Sequence, residues 1–161
     1  MKKYTLIICS FLLLFGCSGK TENTTEYKGE HGTYEILDTY LTENPGLREE
    51  FAQLRLKIKY TNTTSEPRKP NDSIKLDTII EHETDVELNE IEFYLTNYIG
   101  GELTEEQELI KNGSLNVKPD ATLEVIIESV LENEKLDSIF LRNKNAQGQN
   151  GDKFEKQIKV K

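Results

Sequence analysis

The pattern that most constrains the fold is a strict alternation of apolar and polar side chains over residues 51–61. Its apolar members are Leu54, Leu56, Ile58 and Tyr60, and its polar members are Arg55, Lys57, Lys59 and Thr61. Since successive side chains of a strand point to opposite faces, one set is predicted to be buried and the other solvated. One dry face and one wet face are typical of an antiparallel sheet. Asn62, Thr63 and Pro67 then predict a turn.

Shorter segments with strand-like patterns follow, separated by turn residues. They comprise residues 34–41, 74–80, 86–88, 91–95, 115–117, 123–127, 136–141 and 156–160. The last two are expected to form a closing hairpin around the polar loop 143–153. A short helix is predicted at 104–111, because Thr104 and Gln107 have capping-box spacing and Asn112 and Gly113 would end it. Short strands separated by turns in this way predict an all-β fold, an immunoglobulin-like antiparallel β-sandwich.

The N-terminus has the layout of a bacterial secretory signal. Lys2 and Lys3 precede an apolar run at 6–15, which is about half the length that a membrane-spanning helix needs. The run ends in Leu-Phe-Gly-Cys at 14–17, which resembles the lipobox of bacterial lipoproteins. Residues 1–16 are therefore expected to form a cleaved signal helix that leaves Cys17 as the lipidated first residue. Cys9 lies inside the cleaved run, so a disulfide with Cys17 is disfavoured.

The mature chain is predicted to be one domain on a tether. Residues 17–31 comprise the lipidated cysteine and a polar segment without hydrophobic periodicity, which predicts a flexible linker. Residues 32–161 are assigned to the β-sandwich and have the length of one ordinary domain. The acyl chains on Cys17, such as palmitate, would hold this domain on the extracytoplasmic face of the cell membrane. In a host with two membranes, the outer membrane is an alternative destination.

The charge balance excludes one class of partner. The chain carries 29 acidic and 20 basic residues, a formal charge of −9. Cleavage removes Lys2 and Lys3 and no acid, which makes the mature charge −11. Such a surface repels phosphate backbones and anionic headgroups, so nucleic-acid binding is excluded and the membrane is reached through the lipid alone.

Two histidines and two acidic clusters are the candidates for metal or catalytic chemistry. His31 stands between glycines at the tether boundary and is expected to be solvated surface. His82 lies in Glu81-His82-Glu83-Thr84-Asp85, which a strand would split between two faces, so an acidic solvated loop is favoured over a metal site. The acids at 102–108 lack the alternating spacing of a calcium loop and are read as a solvated helix face. No cofactor or metal is expected.

Catalytic motifs are absent from the sequence. It contains no Gly-x-Ser-x-Gly elbow, no His-Glu-x-x-His and no phosphate loop. The favoured function is a non-catalytic binding or protein-interaction domain for an envelope or extracellular partner. Tyr94, Tyr98 and Phe140 are candidate contacts, although such residues more often belong to the core. The alternative is a cell-envelope enzyme using a pair of acidic residues.

Two motifs carry a resemblance to a known family. The strand-and-turn sequence LRLKIKYTNTTSEPRKP at 54–70 resembles the central strand of uncharacterised extracellular immunoglobulin-like domains on bacterial lipoproteins, chiefly of Firmicutes. Val-Lys-Pro-Asp at 117–120, followed by the alternating 121–128, is similar to a second motif of that family, with Asp120 where the family has glycine. The resemblance covers about 33–142. It implies a fold and carries no activity.

Overall fold

The structure is a computed structural model that describes residues 26–43, 51–83, 86–93, 101–132, 136–144 and 155–161. Its strands are β1 (Glu26–Lys28), β2 (Thr33–Glu43), β3 (Phe51–Thr61), β4 (Thr78–Glu83), β5 (Leu88–Glu90), β6 (Thr122–Glu132), β7 (Ser138–Asn143) and β8 (Glu155–Lys159). Its helices are α1 (Pro70–Asp77) and α2 (Glu105–Asn112). The signal peptide, Cys17 and the tether up to residue 25 lie outside the described residues.

The strands form two four-stranded antiparallel sheets. Sheet 1 has the order β1-β2-β3-β6, and sheet 2 has the order β5-β4-β7-β8. Buried side chains from both sheets belong to one hydrophobic cluster, so the sheets pack face to face. The predicted all-β antiparallel sandwich is therefore confirmed, including the closing hairpin of β7 and β8. The immunoglobulin-like assignment within that class stays a prediction.

Strand β3 forms the centre of sheet 1. It occupies the predicted residues and pairs along its length with β2 on one side and β6 on the other. Its apolar set is buried, with Ile58 and Tyr60 at 0 % exposure, whereas Lys59 on the opposite face is exposed. The period-two pattern thus assigned the buried face correctly, whereas on the predicted solvated face the Arg55 side chain is only 14 % exposed.

Helix α2 covers the outer face of sheet 1 at β6. Its N-terminus has the predicted capping box between Thr104 and Gln107, and the helix ends at Gly113. Ile110 is its buried residue, and Ile126 of β6 is 2 % exposed. Ile126 departs from the inward apolar alternation of β6 because this helix shields the outer face.

Both ends of the described chain protect the same sheet edge. β1 pairs with β2 at Thr33 to Glu35, and Lys161 bonds the main chain of β2 further along. The Lys161 amide donates to the Thr39 carbonyl at 3.0 Å, and the Leu41 amide donates to the Lys161 carbonyl at 3.3 Å. An edge strand left open would invite pairing with another chain, so these contacts shield β2.

Two expectations differ from the structure. The strand expected at 74–80 is the end of α1 followed by β4, because Pro70 starts a helix at its first position and buried Ile74 packs in the core. The segment 26–31, assigned to the tether, includes β1 and the turn after it. Tyr27 explains this difference, since its ring is 4 % exposed and stacks on Tyr34 at 4.9 Å.

Smaller differences concern short segments. Residues 115–117 contribute a single bridge, between Val117 and Arg68, and the strand expected at 86–88 is β5, two residues later. The described part of 91–95 is not a strand, although the Ile91 amide donates to the Ile80 carbonyl. Within the described residues, no helix has the length and apolar character needed to cross a membrane.

Candidate functional site

The candidate residues from the sequence are scattered through the structure. Cys17, Tyr94 and Tyr98 lie outside the described residues, and Phe140 is half-buried on β7. His31 lies in the turn between β1 and β2, and its side chain is 17 % exposed. The two described candidates, His31 and Phe140, lie on different elements, and the polar clusters of the described residues consist mainly of other side chains.

The first polar cluster is centred on Asp77, at the end of α1. His31 was expected to be solvated, but its Nδ1 lies 2.6 Å from Asp77 Oδ1 and its main-chain amide donates to Asp77 Oδ2 at 2.8 Å. The Tyr34 hydroxyl donates to the same Oδ2 at 2.7 Å. Asp77 itself is 0 % exposed. A buried carboxylate is tolerated where several donors surround it, and here most of them come from the N-terminal segment.

Further contacts join that N-terminal segment to the rest of the domain. Tyr27 bonds the Thr78 hydroxyl at the start of β4, and the Asn143 amide donates to the Lys28 carbonyl at 3.0 Å. Gly29 leaves room for Asp77, because a Cβ built there would lie 2.1 Å from Asp77 Oδ2. We call the segment 26–32 with these contacts the N-terminal clasp. It ties sheet 1 to α1 and sheet 2 where the chain enters the domain.

Three tyrosines with neighbouring rings form the tyrosine cluster: Tyr27 of the clasp, Tyr34 and Tyr60. Burial raises the pKa of Tyr27 and of Tyr34 well above the ordinary value of 10.0, and the nearby Asp77 charge raises both further. Burial also raises the pKa of Tyr60. Neutral hydroxyls are therefore the stable form of all three.

The Asp77 cluster does not form a Ser-His-Asp site. The serine hydroxyl in its network, Ser73 Oγ, bonds the Tyr60 hydroxyl at 3.0 Å, and Tyr60 in turn donates to the His31 carbonyl at 3.1 Å. A nucleophilic serine would need its hydroxyl on the imidazole ring. The hydrogen bonds of the Asp77 cluster join elements of the fold to one another, which is a structural role.

The second polar cluster lies on the outer face of sheet 1, below α2. Arg55 of β3 donates through Nη1 to Glu106 Oε2 at 2.6 Å, and the Tyr40 hydroxyl of β2 donates to Glu106 Oε1 at 2.7 Å. Arg55 Nε donates to Glu128 Oε1 of β6 at 3.1 Å. Tyr40, Arg55 and Glu128 occupy directly paired positions on three neighbouring strands. We call these three residues and Glu106 the Arg55 cluster.

Burial differs sharply within the Arg55 cluster. The Glu128 side chain is 1 % exposed and that of Arg55 14 %, whereas that of Glu106 is 50 % exposed. Glu128 Oε2 accepts no hydrogen bond from any described residue. Burial, followed by the hydrogen bond and charge of Glu106, raises the pKa of Tyr40 to about 12, so this phenol stays protonated and remains a donor. The Arg55 cluster therefore combines a largely buried ion pair, Arg55 and Glu128, with a half-exposed acid, Glu106.

The acidic run around His82 forms strand rather than the favoured loop, so that expectation is wrong for Glu81 to Glu83. Alternation nevertheless separates the side chains as argued: His82 is buried, whereas Glu83 is exposed and Glu81 bonds Arg142 at 2.6 Å. Thr84 and Asp85 lie outside the described residues. No group of three or more His, Cys, Asp or Glu side chains in the described ranges is arranged to hold a metal ion.

Comparison with known proteins finds likeness at the level of fold. No protein-family model and no curated protein matches the sequence. A protein from Staphylococcus aureus subsp. aureus NCTC 8325, named a "putative lipoprotein", has a similar structure with a TM-score of 0.61 and 12 % identity, over 83 % of this chain and 87 % of that chain. A protein from Enterococcus faecalis, solved by NMR, has a TM-score of 0.58 and 9 % identity, over 84 % and 90 % respectively. At these identities the likeness shows a shared fold alone.

Proposed function

We propose that this protein is a lipid-anchored extracytoplasmic lipoprotein whose immunoglobulin-like sandwich is a non-catalytic binding module. The observation that carries the anchoring half is how close to Cys17 the first described strand begins. β1 starts at Glu26, nine residues after Cys17. Nine residues span at most about 30 Å when extended, so acylation of Cys17 would keep the domain beside the membrane surface.

The N-terminal clasp fits this anchoring. An acylated Cys17 would pull on the domain at Glu26, the first residue of a three-residue edge strand. So short a strand holds weakly by sheet pairing alone. The bonds of Tyr27, Lys28 and His31 to sheet 2 and α1 reinforce the point where the anchor would act. The fold shared with the Staphylococcus aureus protein supports the same proposal.

Binding is favoured over catalysis by how the polar groups are used. The acid-pair alternative finds its best candidates in Glu106 and Glu128, which accept hydrogen bonds from the same guanidinium. A general acid or base needs a carboxyl that is free to exchange a proton with the substrate, whereas the Arg55 guanidinium donates to both acids and the Tyr40 hydroxyl also donates to Glu106. The Arg55 cluster therefore supports recognition of a charged ligand better than general acid–base chemistry.

The anchor is tested by fractionating cells that express the full-length chain. We expect the wild type at mature size in the membrane pellet, released by detergent, and Cys17→Ala either in the soluble fraction or as an uncleaved precursor. Cys9→Ala is the matched control, because Cys9 lies in the segment that cleavage removes. Membrane retention of the mature-sized Cys17→Ala protein, or loss of retention for Cys9→Ala alone, would refute lipidation at Cys17.

The binding half is tested by capture from envelope extract, with the mature chain as bait. A partner retained after washing and absent from a bait with an unrelated sandwich domain is the expected result. Turnover of an envelope polymer by the bait, abolished by Glu106→Gln, would instead establish the enzyme alternative.

A further inference from the structure

We propose that Tyr40 and Arg55 form a binding site for a ligand carboxylate, and that Glu106 of the same chain occupies this site in the structure. The inference deepens the proposed binding function by naming the chemical class of its ligand. It depends on the convergence of two donors on one acid.

The two donors match the two oxygens of a carboxylate. The Tyr40 hydroxyl bonds Glu106 Oε1 at 2.7 Å, and Arg55 Nη1 bonds Glu106 Oε2 at 2.6 Å. Tyr40 and Arg55 are directly opposite each other on β2 and β3, so the sheet itself fixes their spacing. Short charge-assisted bonds of this kind are the strong class of hydrogen bond, and each oxygen receives one. A neutral amide would leave one donor without an acceptor.

Arg55 is positioned independently of Glu106. Its Nε bonds Glu128 on the directly paired position of β6, and the Glu128 side chain is almost fully buried. A guanidinium held by a buried second acid keeps its orientation when the first acid leaves. Glu128 is therefore a positioning residue for Arg55.

Glu106 can be exchanged without unfolding its surroundings. Its side chain is half exposed, so a rotamer change toward solvent vacates the site. Helix α2 keeps its other attachments, which are buried Ile110 and the bond from the Asn112 amide to the Glu124 carbonyl at 3.1 Å. Glu106 thus acts as a built-in competitor for the ligand.

The test is a ligand-observed NMR titration of the full-length protein in detergent micelles. The probe is N-acetyl-glutamate amide, in which the side chain bears the sole carboxylate, and N-acetyl-glutamine amide is its neutral isostere. We expect Glu106→Ala to bind the acidic probe at least about ten-fold more tightly than the wild type. Glu105→Ala, an exposed neighbour on the same helix, should behave as the wild type. Adding Arg55→Lys to Glu106→Ala should abolish the gain, and adding Tyr40→Phe should reduce it.

Three results would overturn the proposal: no binding of the acidic probe by folded Glu106→Ala, equal binding of the neutral amide, or no effect of Arg55→Lys. Thermal melting of each variant shows whether the sandwich is intact, and Tyr40→Phe is the second variant should Arg55→Lys not fold. Capture of an envelope partner by folded Glu106→Ala, together with failure of that single variant to bind the acidic probe, would refute the carboxylate site while leaving the binding module in place.

Discussion

Replacing Asp77 by asparagine should remove much of the domain's stability. The Asp77 side chain is fully buried; its Oδ2 accepts hydrogen bonds from the His31 amide and the Tyr34 hydroxyl, and its Oδ1 lies 2.6 Å from His31 Nδ1. An asparagine whose oxygen takes the Oδ2 position keeps the bonds from the His31 amide and the Tyr34 hydroxyl, but its NH2 replaces Oδ1 beside His31 Nδ1 and the negative charge is lost. Hydrogen bonds to a charged group contribute about 1.5–3 kcal/mol, so we expect a loss of about 2 kcal/mol.

Urea unfolding of the Cys17→Ala chain, followed by circular dichroism, measures this loss. Asp72→Asn is the matched control, because Asp72 lies on the same helix and is exposed. That variant should lose less than about 0.5 kcal/mol. A loss below about 1 kcal/mol for Asp77→Asn, or equal losses for the two variants, would show that the Asp77 cluster does not hold the N-terminal clasp.

Three further predictions test the fold. Ile58→Asp should lower the free energy of unfolding by at least about 3 kcal/mol, because it places an unpaired charge in the core. Lys57→Asp should lower it by only about 1 kcal/mol. Similar shifts in melting temperature for the two variants would mean that the faces of β3 are misassigned. The domain should lose stability above pH 10, because burial raises the pKa of each residue in the tyrosine cluster and the unfolded chain releases those protons first. The limiting slope is about 3 kcal/mol per pH unit from Tyr27 and Tyr34, with a further loss from Tyr60, and urea midpoints that stay constant from pH 8 to 11 would contradict it. Asp120 has a φ of 59°, a left-handed conformation that glycine adopts easily and valine does not. Asp120→Gly should therefore stabilise the domain by about 0.5 kcal/mol, and Asp120→Val should destabilise it by about 1–2 kcal/mol. Thermal melts that rank the two variants in the reverse order would refute the turn assignment.

Local patterns predicted the parts of the fold that local physics determines. The period-two alternation of β3 and the capping box of α2 both depend on residues a few positions apart, and both were confirmed. Helix α1 was missed because Ile74 to Ile80 contains alternating apolar residues that are also compatible with a strand. The local signal for this helix is Pro70 at its first position, and the buried Ile74 then packs in the core.

The polar clusters could not be read from the sequence for a related reason. His31 and Asp77 are 46 positions apart, and Arg55 and Glu128 are 73 positions apart. Their pairing depends on which strands become neighbours and in what register, which no local spacing encodes. The polar appearance of residues 26–31 likewise concealed Tyr27, whose burial became evident only when sheet 1 was assembled beside sheet 2.

Mass spectrometry of the mature N-terminal peptide tests the proposed anchoring most directly. The full-length protein is expressed in its bacterial host, extracted in detergent and digested, and the peptide that contains Cys17 is isolated. We predict that the mature chain begins at Cys17 and that this residue carries a diacylglycerol-type modification, with residues 1–16 absent. A mature chain that begins elsewhere, or an N-terminal Cys17 without acyl groups, would contradict the proposed membrane anchor.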